Sequence, residues 1–176
     1  FNKYSKFLKK KRADAVITDI PRLPIGILTA DCVPILIYDK KKKMVAAIHA
    51  GCKGAYKGII SKVINLMIKK GCQKKNIVAV IGPCIAQKSY NVKEDFKRKF
   101  LKKDKRNKVF FKKRKNLIYF DLSKYVKLQL KLMKITNLDT INIDTFPKKN
   151  NFFSARRSLH LNHDDYGRNI SLIMIN

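Results

Sequence analysis

The sequence predicts a single α+β (mixed α/β) domain built on a mixed β-sheet. Short, almost wholly apolar segments such as residues 33–38 and 77–81 have the length of buried strands. Other segments, after Gly54 and after Asp121, place apolar residues at helical spacing. The 176 residues are enough for one substantial core, and neither an internal repeat nor a long linker divides them.

Four apolar segments before residue 50 have the composition of strands. They cover residues 13–18, 25–28, 33–38 and 44–49. Pro21 and Pro24 separate the first segment from the second, because proline interrupts regular strand pairing. A short charged turn joins the third and fourth segments, which are therefore predicted to form a hairpin.

Three helices and four more strands are predicted in the rest of the chain. The helices cover residues 59–68, 93–101 and 122–133, and the strands cover residues 77–81, 117–120, 140–143 and 170–175. Gly71 is a typical helix stop, and Asp121 is a typical helix N-cap. We expect an exposed helix end and loop over residues 97–115 and a long final loop over residues 152–168.

The formal net charge of +29 suggests a nucleic-acid ligand, since basic surfaces bind phosphates and release counterions. Only eight of the 41 basic residues are arginine, however, and the lysines are spread over almost every predicted surface. Nucleic-acid readers favour arginine clusters interleaved with aromatic residues. We therefore interpret the charge as compositional drift, with weak non-specific nucleic-acid binding as a side effect.

The sequence also bears on the cellular environment. No apolar run reaches the ~18 residues that a membrane-spanning helix needs. The chain begins at Phe1 without methionine or a signal-peptide segment, so we expect an internal fragment of a longer, cytoplasmic protein. The four cysteines do not form a disulfide framework, and reduced thiols are expected.

Cys32 and His49 are the strongest candidate functional residues. Cys32 precedes one predicted strand, and His49 ends the next, so the hairpin would bring them together. Asp31, beside Cys32, would be costly to bury without a purpose. The two side chains fit either a zinc site or a cysteine–histidine dyad. A catalytic zinc needs a third protein ligand, for which Cys52, His160 and His163 are the candidates.

Arg156 and Arg157 are candidate anion-binding residues. Arginine is scarce in this chain, and its planar fork binds phosphate or carboxylate in a bidentate manner that lysine cannot reproduce. Arg168 adds a third guanidinium nearby in the sequence. A surface ion-pair role explains the pair equally well at this point.

Six segments in this order resemble the YfiH-like family, long labelled multicopper polyphenol oxidases or laccases and now understood as purine nucleoside phosphorylases. They are Thr29-Ala30-Asp31-Cys32-Val33-Pro34, His49-Ala50-Gly51, Ile81-Gly82-Pro83-Cys84-Ile85, Phe120-Asp121-Leu122, Phe153-Ser154-Ala155-Arg156-Arg157 and Gly167-Arg168. The set covers nearly the whole chain. It resembles the last two-thirds of a family member.

The resemblance implies layered mixed β-sheets flanked by helices and a zinc site of two histidines and a cysteine. Cys32 and His49 match two of these ligands. The other family histidine lies upstream of the Ala-Asp that matches Ala13-Asp14, and residues 1–12 contain no histidine. The resemblance thus implies one domain over residues 1–176 that is incomplete at its N-terminus. Cys52 stands where the family usually has tryptophan.

The implied reaction is the phosphorolysis of adenosine, inosine and S-methyl-5′-thioadenosine to free base and a ribose 1-phosphate, with adenosine deamination as a side activity. Purine nucleosides and phosphate are the expected partners, Arg156 and Arg157 are assigned to phosphate, and a homodimer is a further expectation. Zinc is preferred over copper, because multicopper oxidases need many more histidines than the three here.

Two other functions remain open from the sequence. The implied fold is similar to that of a bacterial toxin deamidase, so Cys32 could act as the nucleophile of a metal-free cysteine hydrolase with His49 as its base. Alternatively, the chain could be an inactive, basic RNA-binding remnant. Loss of activity with a chelator would favour zinc, and inactivation by iodoacetamide without metal dependence would favour the hydrolase.

Overall fold

The computed structural model describes residues 13–176. Residues 1–12, whose sequence has no histidine for the implied zinc site, lie outside the described residues. The strands are β1 (Ala15–Thr18), β2 (Ile25–Thr29), β3 (Val33–Asp39), β4 (Met44–Ala50), β5 (Ile77–Ile81), β6 (Asn91–Val92), β7 (Phe111–Arg114), β8 (Leu117–Phe120), β9 (Asn137–Thr140) and β10 (Asn169–Ile173). The α-helices are α1 (Cys52–Tyr56), α2 (Ile59–Lys69), α3 (Glu94–Lys103), α4 (Leu122–Leu132) and α5 (Ala155–His160).

A five-stranded mixed sheet with the order β1-β4-β3-β5-β9 forms the centre of the fold. The predicted hairpin of β3 and β4 is confirmed, with Ile35 opposite Ile48. The pairing of β5 with β9 is parallel, and the other pairings in this sheet are antiparallel. The mixed α+β class and the layered arrangement are therefore confirmed.

Each face of the central sheet is covered by a different layer. On one face, helices α2 and α4 and the small sheet β6-β8-β7 enclose the larger core. On the other face, the two-stranded sheet of β2 and β10 covers a smaller core, which includes Ile27, Val45 and Ala47. Strand β3 contributes apolar side chains to both cores, which explains why its sequence is continuously apolar.

Helix α2 confirms the predicted helix in this region. Its buried residues, Ile60, Val63, Ile64 and Met67, recur at the three- and four-residue spacing of one helix face. The helix stops before Gly71, whose φ of 96° is in the left-handed region that favours glycine. The longest α-helices of residues 13–176 have 11 residues, and none of the helices in this part could cross a membrane.

Several predicted boundaries and element types are wrong. The strand predicted over residues 140–143 is instead β9, because Leu138 pairs with Ala79 while Ile141 and Ile143 are exposed. Residues 97–115 contain strand β7 as well as a helix end and a turn, because residues 111–114 pair with β8. The predicted final loop contains α5, and α1 was also not predicted, so the described residues hold five α-helices rather than three.

An aromatic cluster joins α3 to the elements around it. Phe100, on α3, is 2 % exposed. Its ring centroid lies 4.7–6.1 Å from those of Tyr56, Phe96, Phe111, Phe120 and Tyr125. These rings come from α1, α3, β7, β8 and α4, so one side chain connects most of the layer that covers the larger core.

Asp39, the last residue of β3, is fully buried and holds two turns together. Its carboxylate accepts hydrogen bonds from the backbone N–H groups of Lys41 at 2.9 Å, Lys42 at 2.8 Å and Gln73 at 3.0 Å. Burial acts to raise the pKa of this carboxyl, but the backbone donors outweigh it and lower the pKa below the ordinary 3.8. The ionised carboxylate is therefore the form that stabilises the fold.

We expect Asp39→Asn to lower the free energy of unfolding by about 1–3 kcal/mol at neutral pH, because a charged acceptor is replaced by a neutral amide. The folded-state pKa is lowered, so the contribution of Asp39 is present above pH ~4 and is lost as pH falls through the folded pKa. Urea unfolding at several pH values should show the variant approaching the wild type in acid. The exposed Asp19→Asn serves as the control. A stability difference that stays constant with pH would contradict this account.

Candidate functional site

The hairpin brings the side chains of Cys32 and His49 to one point. Cys32 immediately precedes β3, and His49, near the end of β4, pairs with Pro34. A Cβ atom placed on Gly51 would lie 3.0 Å from Cys32 Sγ and 3.7 Å from His49 Nε2. Any larger residue at position 51 would therefore occupy the space that the thiol and the imidazole share.

Asp14 orients the His49 ring. His49 Nδ1 lies 3.4 Å from Asp14 Oδ1, and the His49 backbone N–H donates to the Asp14 carbonyl at 2.8 Å. The contact on Nδ1 leaves Nε2 directed at the space beside Gly51. A carboxylate on the far nitrogen is the usual outer partner of a metal-binding histidine, because it fixes the ring and makes the ligand more basic.

The environment of Cys32 favours its neutral thiol. Burial, together with the nearby Cys52, Asp31 and Asp14, raises the pKa of Cys32 from 9.0 to about 12, and burial is the largest of these causes. Reactive cysteine nucleophiles have the opposite property, a lowered pKa that supplies thiolate at neutral pH. A bound cation would favour the thiolate, since metal binding displaces the thiol proton.

The described residues supply two donors rather than three. No group of three His, Cys, Asp or Glu side chains within residues 13–176 is arranged to hold a metal ion. Cys52, His160 and His163, the predicted candidates for the third ligand, therefore do not complete the site. His160 instead packs its ring against Phe146, with 5.6 Å between the ring centroids.

Arg156 lies at the same site, on the first turn of α5. Its backbone N–H donates to Asp31 Oδ2 at 2.7 Å, and Asp31 is the residue directly before Cys32 in the sequence. Its Nη1 donates to the Asn91 carbonyl at 2.9 Å and to Asn91 Oδ1, and its guanidinium lies over the Tyr90 ring. No hydrogen bond from Nε or Nη2 to residues 13–176 is present, so these donors can face an anion.

Arg157 has a different environment from its neighbour. Its Nη1 donates to the carbonyls of Thr145 at 3.1 Å and Phe146 at 2.7 Å, and its Nη2 donates to the carbonyl of Phe152 at 2.6 Å. Its guanidinium therefore ties two loop segments together. Arg168 lies elsewhere on the surface, where it contacts Tyr166 and Asp165.

A cleft leads to Cys32. A pocket of about 180 Å³ is lined by Asp31, Cys32 and Arg156. Cys52, Tyr90 and Arg156 also line a larger adjoining cleft of about 900 Å³. The combined space is enough for a small-molecule ligand, with Cys32 lining the smaller part and Arg156 lining both parts.

Sequence reasoning missed three residues of this site: Asp14, Tyr90 and Asn91. Asp14 follows Ala13 in a segment that matches the family pattern, so a signal for it existed. Tyr90 and Asn91 lie in no motif, and only the packing of Tyr90 and the start of β6 against α5 brings them to Arg156. Such contacts between residues 65 positions apart leave no local pattern.

Several known proteins are similar to this chain in sequence and fold. A family model described as multi-copper polyphenol oxidoreductase laccase matches residues 2–176. The chain belongs to this family. Among curated relatives, the purine nucleoside phosphorylase of Rickettsia conorii is 40% identical over 160 residues, which are 90% of this chain and 65% of the relative. The purine nucleoside phosphorylase of Bacteroides thetaiotaomicron is 35% identical over 149 residues, which are 82% of this chain and 55% of the relative.

Two solved structures are also similar to this chain. The chain is similar to Bacillus licheniformis YfiH, with a TM-score of 0.82 and 29% identity over 93% of this chain and 61% of that protein. It is also similar to the Neisseria meningitidis protein NMB0706, with a TM-score of 0.81 and 27% identity over 93% of this chain and 65% of that protein. The chain therefore spans less than two thirds of the length of these relatives.

Proposed function

We propose that this chain is the larger part of a zinc-dependent purine nucleoside phosphorylase that acts on adenosine, inosine and S-methyl-5′-thioadenosine, with adenosine deamination as a side activity. The observation that carries the proposal is the convergence of Cys32 and His49 on the gap beside Gly51, with Arg156 on the wall of the same cleft. The names of the curated relatives support the reaction class.

The two donors fit zinc. A thiolate and an imidazole are its preferred protein ligands, and Asp14 supplies the outer carboxylate that such an imidazole usually has. We propose that Cys32 and His49 hold the ion and that a third ligand comes from polypeptide outside residues 13–176. When bound, zinc supplies Lewis acidity near the substrate.

The protein's own residues bind and position the reactants. Phosphorolysis forms a bond from a phosphate oxygen to the anomeric carbon and breaks the bond from that carbon to the base nitrogen. The phosphate anion and the nucleoside must be held side by side for this reaction. Positioning of the two reactants and neutralisation of the phosphate charge are therefore the main tasks. Arg156 binds the phosphate through its uncommitted donors, and Tyr90 and Asn91 hold its guanidinium in place.

The joint assignment of Arg156 and Arg157 to phosphate, made from the sequence, divides into two roles in this proposal. Arg156 contacts the anion, and Arg157 keeps the preceding loop in the shape that α5 requires. The metal-free hydrolase is less well supported, because the raised pKa of Cys32 leaves little thiolate at neutral pH. Phosphate-dependent release of free base, abolished by a chelator and restored by zinc, tests the proposal directly.

Arg156→Ala tests the phosphate assignment. We expect the KM for phosphate to rise about 10- to 100-fold, because a charged hydrogen bond is worth about 1.5–3 kcal/mol. The KM for the nucleoside should change much less. Arg168→Ala removes an exposed arginine away from the cleft and is the matched control. If Arg156→Ala left both the phosphate KM and kcat untouched, Arg156 would be excluded as the phosphate ligand.

Asp14→Asn tests the orientation of His49. We expect zinc affinity, measured by competition with a chromogenic chelator, to fall about 10-fold, because outer carboxylates typically contribute 10- to 100-fold to metal affinity. The exposed Asp19→Asn, at the other end of β1, should leave zinc affinity unchanged. Equal zinc affinity in the wild type and Asp14→Asn would show that Asp14 has no such role.

A further inference from the structure

Asp31 is a buried carboxylate that the proposed chemistry does not use. It is 8 % exposed, and within residues 13–176 no Lys, Arg or His side chain forms an ion pair with it. Burying an unpaired charge is costly unless hydrogen bonds replace its hydration. Its φ of 79° is also unfavourable for most residues, although Asp and Asn tolerate this region better than others. A buried charge and a left-handed backbone conformation at one residue both reduce stability, and such residues are typical of functional sites.

Three neutral donors from distant segments surround the carboxylate. Thr145 Oγ1 donates to Oδ1 at 2.7 Å, Ser154 Oγ donates to Oδ2 at 2.9 Å, and the Arg156 backbone N–H donates to Oδ2 at 2.7 Å. The Asp31 carbonyl accepts from the Ile85 N–H at 3.0 Å. Asp31 thereby joins the turn that carries Cys32 to the start of α5.

Of these hydrogen bonds, the one from the Arg156 backbone N–H to Asp31 bears directly on the candidate site. The hydroxyl groups of Thr145 and Ser154 can rotate and donate elsewhere, but the Arg156 N–H has a fixed direction. Its partner is a charged acceptor, which makes the bond stronger than one to a neutral oxygen. The bond fixes the Arg156 backbone relative to the residue next to Cys32.

We propose that Asp31 is the positioning residue that sets the Arg156 guanidinium against the cleft beside Cys32. This inference rests on the proposed function of Arg156 as the phosphate ligand. Although Asp31 lines the small pocket beside Cys32, its carboxylate is engaged by the three donors described above. It acts through the Arg156 backbone, and the carboxylate is used because an acceptor without any proton can serve three donors at once.

The test is a double-mutant cycle on the KM for phosphate. We expect Asp31→Ala to raise the phosphate KM about 10-fold or more, since displacement of a binding group by about 1 Å is enough for such a loss. Asp31→Asn keeps an oxygen for the Arg156 N–H and tolerates the positive φ, so it should stay within about 3-fold of the wild type. Thr145→Val, which removes one bond to the carboxylate but leaves Arg156 bound, is the matched control.

In the Arg156→Ala background, Asp31→Ala should cause no further rise in the phosphate KM, because both changes remove the same interaction. A general structural role for Asp31 predicts additive effects and would overturn the proposal. Thermal unfolding shows whether each variant folds. If Asp31→Ala does not fold, the phosphate KM values of Asp31→Asn and Thr145→Val are compared instead. A larger rise for Thr145→Val than for Asp31→Asn overturns the positioning role of Asp31.

Equilibrium binding of inorganic phosphate, measured by calorimetry, separates this inference from the proposed function. Phosphate binding that is weakened by Asp31→Ala and Arg156→Ala alike, without nucleoside turnover in the wild type, would support the positioning role while rejecting the phosphorylase. Turnover with unaltered phosphate binding in Asp31→Ala would reject the positioning role while keeping the phosphorylase.

Discussion

Cys32→Ser is expected to abolish zinc binding and to lower the rate of phosphorolysis by about 10³-fold or more. Serine keeps the size of the side chain but has no thiolate, which is the form that binds zinc. Because only Cys32 and His49 converge beside Gly51 in residues 13–176, the loss of either donor leaves one ligand there. Zinc content after purification, measured by mass spectrometry, and base release from inosine are the two readouts.

Cys52→Ser is the matched control for this experiment. Cys52 lines the same pocket and lies close enough to Cys32 to raise its pKa, but it belongs to no group of three donors in the described part of the chain. We expect the Cys52 variant to keep its zinc. Zinc lost equally from both variants would make Cys52 a ligand, and phosphorolysis retained by Cys32→Ser would reject the zinc mechanism.

Phe100→Ala is expected to cause the largest loss of stability, about 3–5 kcal/mol, because it leaves a cavity among large buried side chains. Phe100 contacts rings from five elements, and the surrounding layer cannot collapse into the space without moving several of them at once. For a domain of this size the loss corresponds to a decrease in Tm of roughly 6–20 °C.

The control for this prediction lies nearby on the chain. Val109→Ala removes a side chain that is 55 % exposed, so it should change the free energy of unfolding by less than about 0.5 kcal/mol. Urea unfolding of both variants at the same pH gives the comparison. A loss below 1 kcal/mol for Phe100→Ala would show that the aromatic cluster is loosely packed.

The sequence alone determined the class of the fold and most of its elements. Residues 77–81 and 117–120 have the predicted strand bounds, because each is a short apolar run with charged or turn-forming residues on both sides. Helix α2 was equally predictable from its spacing. Strand β9 was misplaced, because its position depends on pairing with β5, some sixty residues away, and its own sequence has a single apolar residue, the half-buried Leu138.

The sequence also indicated Cys32, His49 and the arginine pair as candidate site residues, since rare residue types stood out against a background of lysine. Only the tertiary structure distinguished Arg156 from Arg157. The two residues are adjacent and chemically identical, but one meets Tyr90 and Asn91 while the other meets three carbonyl groups. Likewise, the role of Asp31 depends on donors more than one hundred residues away. Composition and spacing describe what a residue can do, and the packing of distant segments decides which partner it has.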